Sequence, residues 1–249
     1  MIQRDLTPYE ATQLARHSMS AEMVVDPYKP IEYYTGVVDF LGLELSVTPD
    51  VLIPRIETEE LVEKVLSIIV KQQKKTPLTI ADVGTGSGAI AVTLSWLLSE
   101  KDITHRITAT DISPAALAVA QKNAASILEN SPAIISFSQE HLLSQETNPF
   151  DYIVANLPYI PSTRIATLPK SVIDYEPHMA LDGGPDGMAL ITELINQATQ
   201  LLVSDGTLFL EVDDTHTSQL WETHRQNWNV EILTDIFGKN RFALLTKKL

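Results

Sequence analysis

From Leu78 onward the chain alternates short apolar runs with longer amphipathic ones: LTIADV, AIAVTLSWLLS, RITATD, PAALAVAQKNAASIL, AIISFS and DYIVAN follow in that order. Strand-length runs separated by helix-length runs predict parallel strands with helices on both faces, since a parallel pair needs a long crossover and the crossover helix must bury its apolar side. The end of the chain departs from this rhythm. TLFLEV, a helix, NVEILTDI and RFALLTKK replace the final crossover by two strands joined through a Gly238-Lys239-Asn240 turn, which predicts an antiparallel hairpin at the end of the sheet. The expectation for residues 55–249 is one α/β domain on a mostly parallel seven-stranded sheet.

Two segments precede this block. Residues 1–30 carry a helical pattern, LTPYEATQLARHSM, too short to hold a core alone, and read as an appendage. Between Asp26 and Pro54, Pro27, Pro30, Pro49 and Pro54 punctuate β-type runs such as VVDFLGLELSV, so residues 31–54 read as a β-hairpin linker. At Thr58 the pattern turns helical. Thr58 suits a cap, Glu59 and Glu60 suit the first turn, and Leu61, Val62, Val65, Leu66 and Ile69 recur at helical spacing until Lys71 to Pro77 end the run.

Composition narrows the function. Hydrophobic residues at 44% can supply a core, and 18 Lys+Arg against 32 Asp+Glu leave a net charge of -14, which disfavours direct binding to nucleic acid. The absence of cysteine removes disulfides, thiolate metal sites and cysteine nucleophiles together. The histidines have no metal-ligand spacing, so no metal is expected. MIQRDLTPYE lacks a signal pattern, and no apolar run approaches the roughly 18 residues of a membrane span, so a cytoplasmic protein is expected.

Only 10 glycines occur, and six of them fall in two clusters. The first, Gly84, Gly86 and Gly88 with Thr85 and Ser87 between them, lies where a strand gives way to a helix. There the backbone can approach a ligand closely and the helix N-terminus favours an anionic group such as a carboxylate. Gly84, Gly86 and Ala89 equally fit the dinucleotide fingerprint of an NAD(P)-dependent oxidoreductase. Asp111 ends the next strand, ahead of a helix start at Pro114, and can accept ribose hydroxyls or act as a cap. The second cluster, Gly183, Gly184 and Gly187, reads as a structural turn, and Arg55 and Glu57 read equally as a site wall or as a capping or salt-bridge pair.

DYIVAN ends in Asn156-Leu157-Pro158-Tyr159. At the carboxyl end of a buried strand, an Asn carboxamide oxygen and a neighbouring carbonyl can accept both protons of an NH₂ group, and Tyr159 can cover a planar amide or ring. An ordinary strand-to-loop turn is the plain alternative.

Asp-Val-Gly-Thr-Gly-Ser-Gly, Asp111 and this tetrapeptide resemble the class I (Rossmann-like) S-adenosylmethionine-dependent methyltransferases. VLIPRIETEELVE (51 to 63), YEPHMALDGGPDGM (175 to 188) and GKNRFALL more closely resemble the HemK/PrmC family, glutamine N5-methyltransferases of peptide chain release factors. The resemblance implies S-adenosyl-L-methionine as cofactor, with Gly84 to Gly88 holding its methionine part, Asp111 its ribose, His141 at a position lining the adenine, and Asn156 also on the cofactor. It implies that Asn156, Leu157, Pro158 and Tyr159 hold the glutamine and carry the chemistry, with a release factor as partner. A ribosomal-protein glutamine or adenine N6 in nucleic acid are the alternatives within this chemistry. Three departures stand out: Leu157 replaces the first proline of the family's Asn-Pro-Pro-Tyr, Ile56 stands where a proline is usual, and the N-terminal portion is much shorter than the family's helical docking domain.

Overall fold

Thr7 starts the first helix with a capping box. Its hydroxyl accepts the Glu10 N–H at 3.2 Å and the Glu10 carboxylate accepts the Thr7 N–H at 2.8 Å, leading into α1 (Pro8–Arg16). In the computed structural model, which describes residues 5–74, 77–129 and 134–248, α1 is followed by the one-turn α2 (Glu32–Thr35) and by a hairpin of β1 (Val37–Phe40) and β2 (Leu43–Ser46). Residues 1–4 of the N-terminal segment, Lys75 and Thr76 of the run read as ending the long helix, and Ala133 at the head of AIISFS lie outside the described residues. The hairpin turns at Leu41-Gly42, both with positive φ as a two-residue turn requires. Gln13 and Arg16 of α1 both donate to Asp39 of β1, and Leu14, Val24 and Ile31 form a small cluster of their own.

The alternating block then follows: α3 (Ile56–Gln72), β3 (Leu78–Val83), α4 (Ala89–Ser99), β4 (His105–Asp111), α5 (Pro114–Ile127), β5 (Ile134–Gln139) and β6 (Phe150–Ala155). After β6 come the one-turn helices α6 (Ser162–Ile165) and α7 (Lys170–Ile173), then α8 (Ala189–Leu201), β7 (Leu202–Glu211), the short α9 (Ser218–Trp221), β8 (Trp228–Thr234) and β9 (Asn240–Lys247). The seven strands order as β5-β4-β3-β6-β7-β9-β8, and β9 alone runs opposite to the other six. The predicted terminal hairpin is present with a shifted turn. Asn240 already pairs with Thr234, and the connection is organised by Asp235, whose carboxylate accepts the Phe237 and Lys239 N–H groups at 2.9 Å each.

Side-chain parity along the strands makes two cores. Ile80, Tyr152, Val154, Phe209 and Phe242 face α3, α4, α5 and the β1–β2 hairpin, whereas Ala81, Ile153, Ala155, Leu208 and Ala243 face α8 and Trp221. Asn123 of α5 ties three parts together: its Oδ1 accepts the Ser46 N–H, and its Nδ2 donates to the carbonyls of Ser46 and of Ser87 in the glycine loop. Strand order reverses direction between β3 and β6, so the carboxyl ends of β4, β3 and β6 open into a common crevice.

Candidate active site

The glycine loop follows β3 and is anchored to the tip of β4. The Gly84 and Thr85 N–H groups both donate to the Thr110 carbonyl at 2.9 Å, and the Gly86 N–H donates to Asp111 Oδ2 at 2.9 Å. Asp82, at 1% exposure, accepts the Thr85 hydroxyl at 2.6 Å and the Ala91 N–H at 3.0 Å, and burial raises its pKa to about 7. The Ala91 amide at the start of α4 is thereby bonded within the protein. Gly84, Gly86 and Gly88 all have positive φ. Gly88 caps α4, and a Cβ there would lie 3.1 Å from Ala120 of α5, so its role in the packing is close helix approach.

At the tip of β4, Ser113 rather than Asp111 caps α5, accepting the Ala116 N–H at 3.2 Å. Asp111 turns its carboxylate back over the glycine loop. At the tip of β5, Glu140 is buried, accepts the Gln145 N–H at 2.7 Å through Oε2, and has no hydrogen-bond partner at Oε1 among the described residues. His141 is more exposed, with Nε2 2.9 Å from Glu193 of α8.

At the tip of β6 the Asn-Leu-Pro-Tyr element is held from both sides. Asn156 Nδ2 donates to Thr58 Oγ1 at 2.9 Å, Thr58 donates onward to Glu211 Oε2 at 2.7 Å, and Tyr159 donates to Glu211 Oε1 at 2.9 Å. Thr58 is therefore not the cap its position suggested. α3 starts two residues earlier at Ile56, with Arg55 in extended geometry at the N-cap, and the Thr58 hydroxyl is used across the fold instead. Glu211 ends β7, is 1% exposed, and has its pKa raised to about 7 by burial against the hydroxyl donors and Arg241. Leu157 buries its side chain against the glycine loop: a Cβ on Gly84 would meet Leu157 Cδ2 at 3.0 Å.

The second glycine cluster braces the tetrapeptide from behind. The Ile160 N–H donates to the Leu181 carbonyl and the Gly183 N–H to the Ile160 carbonyl. A Cβ on Gly183 would come within 2.7 Å of the Pro158 carbonyl oxygen, and one on Gly187 within 2.1 Å of the Tyr159 carbonyl oxygen. Arg55 pairs with the buried Glu176 rather than with Glu57, joining the two family-like segments at 51–63 and 175–188.

Gly84, Thr85, Gly86, Ser87, Asp111, His141, Asn156, Leu157 and Pro158 line one cleft, whereas Gly88 and Tyr159 do not line it. Val51 and Pro54 close one side, and Pro177, Met179 and Ala180 close another. Glu140, Thr58, Glu211 and the 177–180 segment are the parts that sequence reasoning missed. For Glu140 a signal existed: an acidic residue directly after a strand, as at Asp111. The residues fit S-adenosylmethionine on their own geometry. The cleft offers a loop without side chains at Gly84 and Gly86, a carboxylate at the next strand tip, and a buried carboxylate oxygen without a partner at the one after. Among the described residues no cluster could hold a metal ion, and no helix is long and apolar enough to cross a membrane.

Comparison with known proteins agrees with this architecture. The family model described as ribosomal protein L11 methyltransferase (PrmA) matches residues 57–227. A release factor glutamine methyltransferase of Moorella thermoacetica is 39% identical over 222 residues, covering 88% of this chain and 75% of that protein. One of Lactococcus lactis is 37% identical over 216 residues, covering 86% and 76%. The crystal structure of a methyltransferase from Pyrococcus furiosus superposes with a TM-score of 0.56 at 17% identity, covering 97% of this chain and 99% of that one, which is a likeness of fold. With its class I methyltransferase sheet and with relatives this similar over most of their length, the chain belongs to the release factor glutamine methyltransferase family.

Proposed function

We propose that this enzyme transfers a methyl group from S-adenosylmethionine to the side-chain amide nitrogen of a glutamine in a peptide chain release factor, the Gly-Gly-Gln glutamine, in the cytoplasm where release factors work. The observation that carries the reading is the fixed carboxamide of Asn156: with Nδ2 donating to Thr58, Oδ1 is the end left to accept a substrate N–H. When bound, S-adenosylmethionine supplies a methyl on a positively charged sulfur, already electrophilic. Gly84, Thr85, Gly86 and Ser87 would hold its methionine part, Asp111 its ribose, and His141 with Glu140 the adenine end.

An amide nitrogen is a weak nucleophile because its lone pair is delocalised into the carbonyl. Asn156 Oδ1 and the Leu157 carbonyl accept hydrogen bonds from its two N–H groups, directing the lone pair toward the methyl and stabilising the positive charge that develops on nitrogen until one of those protons passes to solvent. Pro158 stiffens the turn that presents these acceptors, and Tyr159 backs it through Glu211. No covalent intermediate with the protein is needed.

The match to the L11 methyltransferase family model favours one second reading, a ribosomal-protein substrate. Transfer of labelled methyl to release factor, to a release factor whose Gly-Gly-Gln glutamine is replaced, and to ribosomal protein L11 separates the two. Label on the intact release factor alone is expected.

A further inference from the structure

Just outside the cleft lining, the structure holds a buried carboxylate at the tip of β7 that reaches the substrate side through two hydroxyl groups. Glu211 receives two hydrogen bonds, one from Thr58 of α3 and one from Tyr159, and Thr58 in turn receives one from Asn156. The donor inventory makes this chain directional. An ionised carboxylate can only accept, so the single hydroxyl proton of Thr58 goes to Glu211; Thr58 Oγ1 then has only lone pairs for its other neighbour, and Asn156 must present its NH₂ end to it. The same carboxylate takes the Tyr159 proton. A carboxamide is nearly symmetric in shape, so packing alone does not choose between its two ends, whereas a rotated Asn156 would offer the substrate a donor in place of an acceptor.

We propose that Glu211, acting through Thr58, is the positioning group that sets the orientation of the Asn156 carboxamide, so that Oδ1 rather than Nδ2 faces the substrate amide. This rests on the function proposed above. It makes Thr58 and Glu211 part of the machinery although neither carries out a chemical step. Their placement suits the task. Thr58 is 4% exposed and Glu211 1%, so water does not compete for these bonds. The groups facing Glu211 are Thr58 and Glu57 from α3, Tyr159 from the tetrapeptide, and Arg241 from β9. Burial and Glu57 raise its pKa, the two hydroxyls and Arg241 lower it, and the balance stands at about 7. Protonation would turn the carboxyl into a donor and release the direction of the chain. The relay is therefore set at alkaline pH and loosened as the pH falls through that value.

The test compares wild type, Thr58→Val, Thr58→Ser and Glu211→Gln for methyl transfer to release factor, with calorimetric binding of S-adenosylmethionine for each. Thr58→Val keeps the shape but offers no acceptor, and Glu211→Gln lets residue 211 donate. Each is expected to lower kcat by roughly tenfold or more, with KM for the release factor and cofactor affinity held within about threefold. Thr58→Ser, which restores the hydroxyl, should recover most of the rate. Wild-type kcat should fall on acidification through about pH 7, and Glu211→Gln should lack that limb. The relay is overturned if Thr58→Val and Glu211→Gln turn over at near wild-type rates, if Thr58→Ser is as slow as Thr58→Val, or if both variants lose cofactor binding in parallel with rate. A wild type that leaves the release factor unmethylated would instead overturn the function on which the relay rests.

Discussion

Leu157 stands where the family pattern has a proline, and its side chain, 4% exposed, packs on the glycine loop over Gly84. Proline would stiffen the turn but withdraw those apolar atoms, while the carbonyl proposed to accept the substrate proton belongs to the backbone and is common to both residues. Leu157→Pro is therefore expected to retain methyl transfer while losing about 1–2 kcal/mol of stability to the thinned contact, read by paired kinetics and denaturant unfolding. A dead but stable variant would contradict this. Asn156→Ala separates the roles in the other direction. It removes the proposed acceptor without touching the loop at 84–88, so turnover should fall by roughly 10² or more while S-adenosylmethionine binding measured by calorimetry stays near wild type. Loss of cofactor affinity equal to the loss of rate would assign Asn156 to the cofactor alone.

Among the elements, the wrap of the 183–187 loop around the tetrapeptide gives the sharpest expectation. Gly187 has a φ of +81°, and a Cβ there would sit 2.1 Å from the Tyr159 carbonyl oxygen, which is backbone, and 2.6 Å from Nε2 of the buried His216 side chain. Gly187→Ala should both lower the melting temperature and slow methyl transfer, because the loop cannot retreat without dragging Tyr159 away from Glu211. An unchanged rate would show that the brace is not needed for catalysis. How much of this could be seen in the sequence depends on whether the cause is local. The strand-helix alternation, the glycine loop at the end of β3 and the terminal hairpin were legible because hydrophobic period and turn residues act over a few positions. Thr58 reads as a cap because a Thr followed by Glu at the start of a helical run is a good local cap signal. Its hydroxyl is instead claimed by Asn156 and Glu211, which lie 98 and 153 positions away in the chain. Arg55 and Glu57 read equally as a site wall or as a local pair, and the partner of Arg55 is Glu176, 121 positions on. Loop 183–187 reads as a turn from its own glycines, but that it turns around Pro158 and Tyr159 follows from long-range contacts, the Ile160–Asp182 bridge among them.

At the scale of the molecule, a chain of net charge -14 has its two most deeply buried carboxylates among the described residues at Asp82, beneath the glycine loop, and Glu211, beneath the tetrapeptide, each with its pKa raised to about 7. A carboxyl that binds its proton more tightly in the folded state favours folding below its unfolded pKa of about 4, and this contribution is lost as the pH rises to the folded value. For Asp82, a rise from 3.8 to about 7 corresponds to about 4 kcal/mol across that window. Asp39, Asp213 and Asp235 have the opposite shift, held down by their donors, and contribute stability that disappears only on acidification below the ordinary carboxylate range. The two groups of acids therefore act in different pH windows, and the melting temperature should peak near about pH 4 and fall toward pH 8. Asp82→Asn should flatten much of that decline, since an amide does not titrate, and should do so without moving the acid limb. A melting temperature that climbs steadily from pH 5 to pH 8 in the wild type would mean that neither buried carboxyl carries the shift its burial implies. The activity limb assigned to Glu211 runs against this stability limb: on raising the pH through about 7 the enzyme gains its oriented carboxamide while giving up folding free energy, because the charge that orients Asn156 is the charge that burial disfavours.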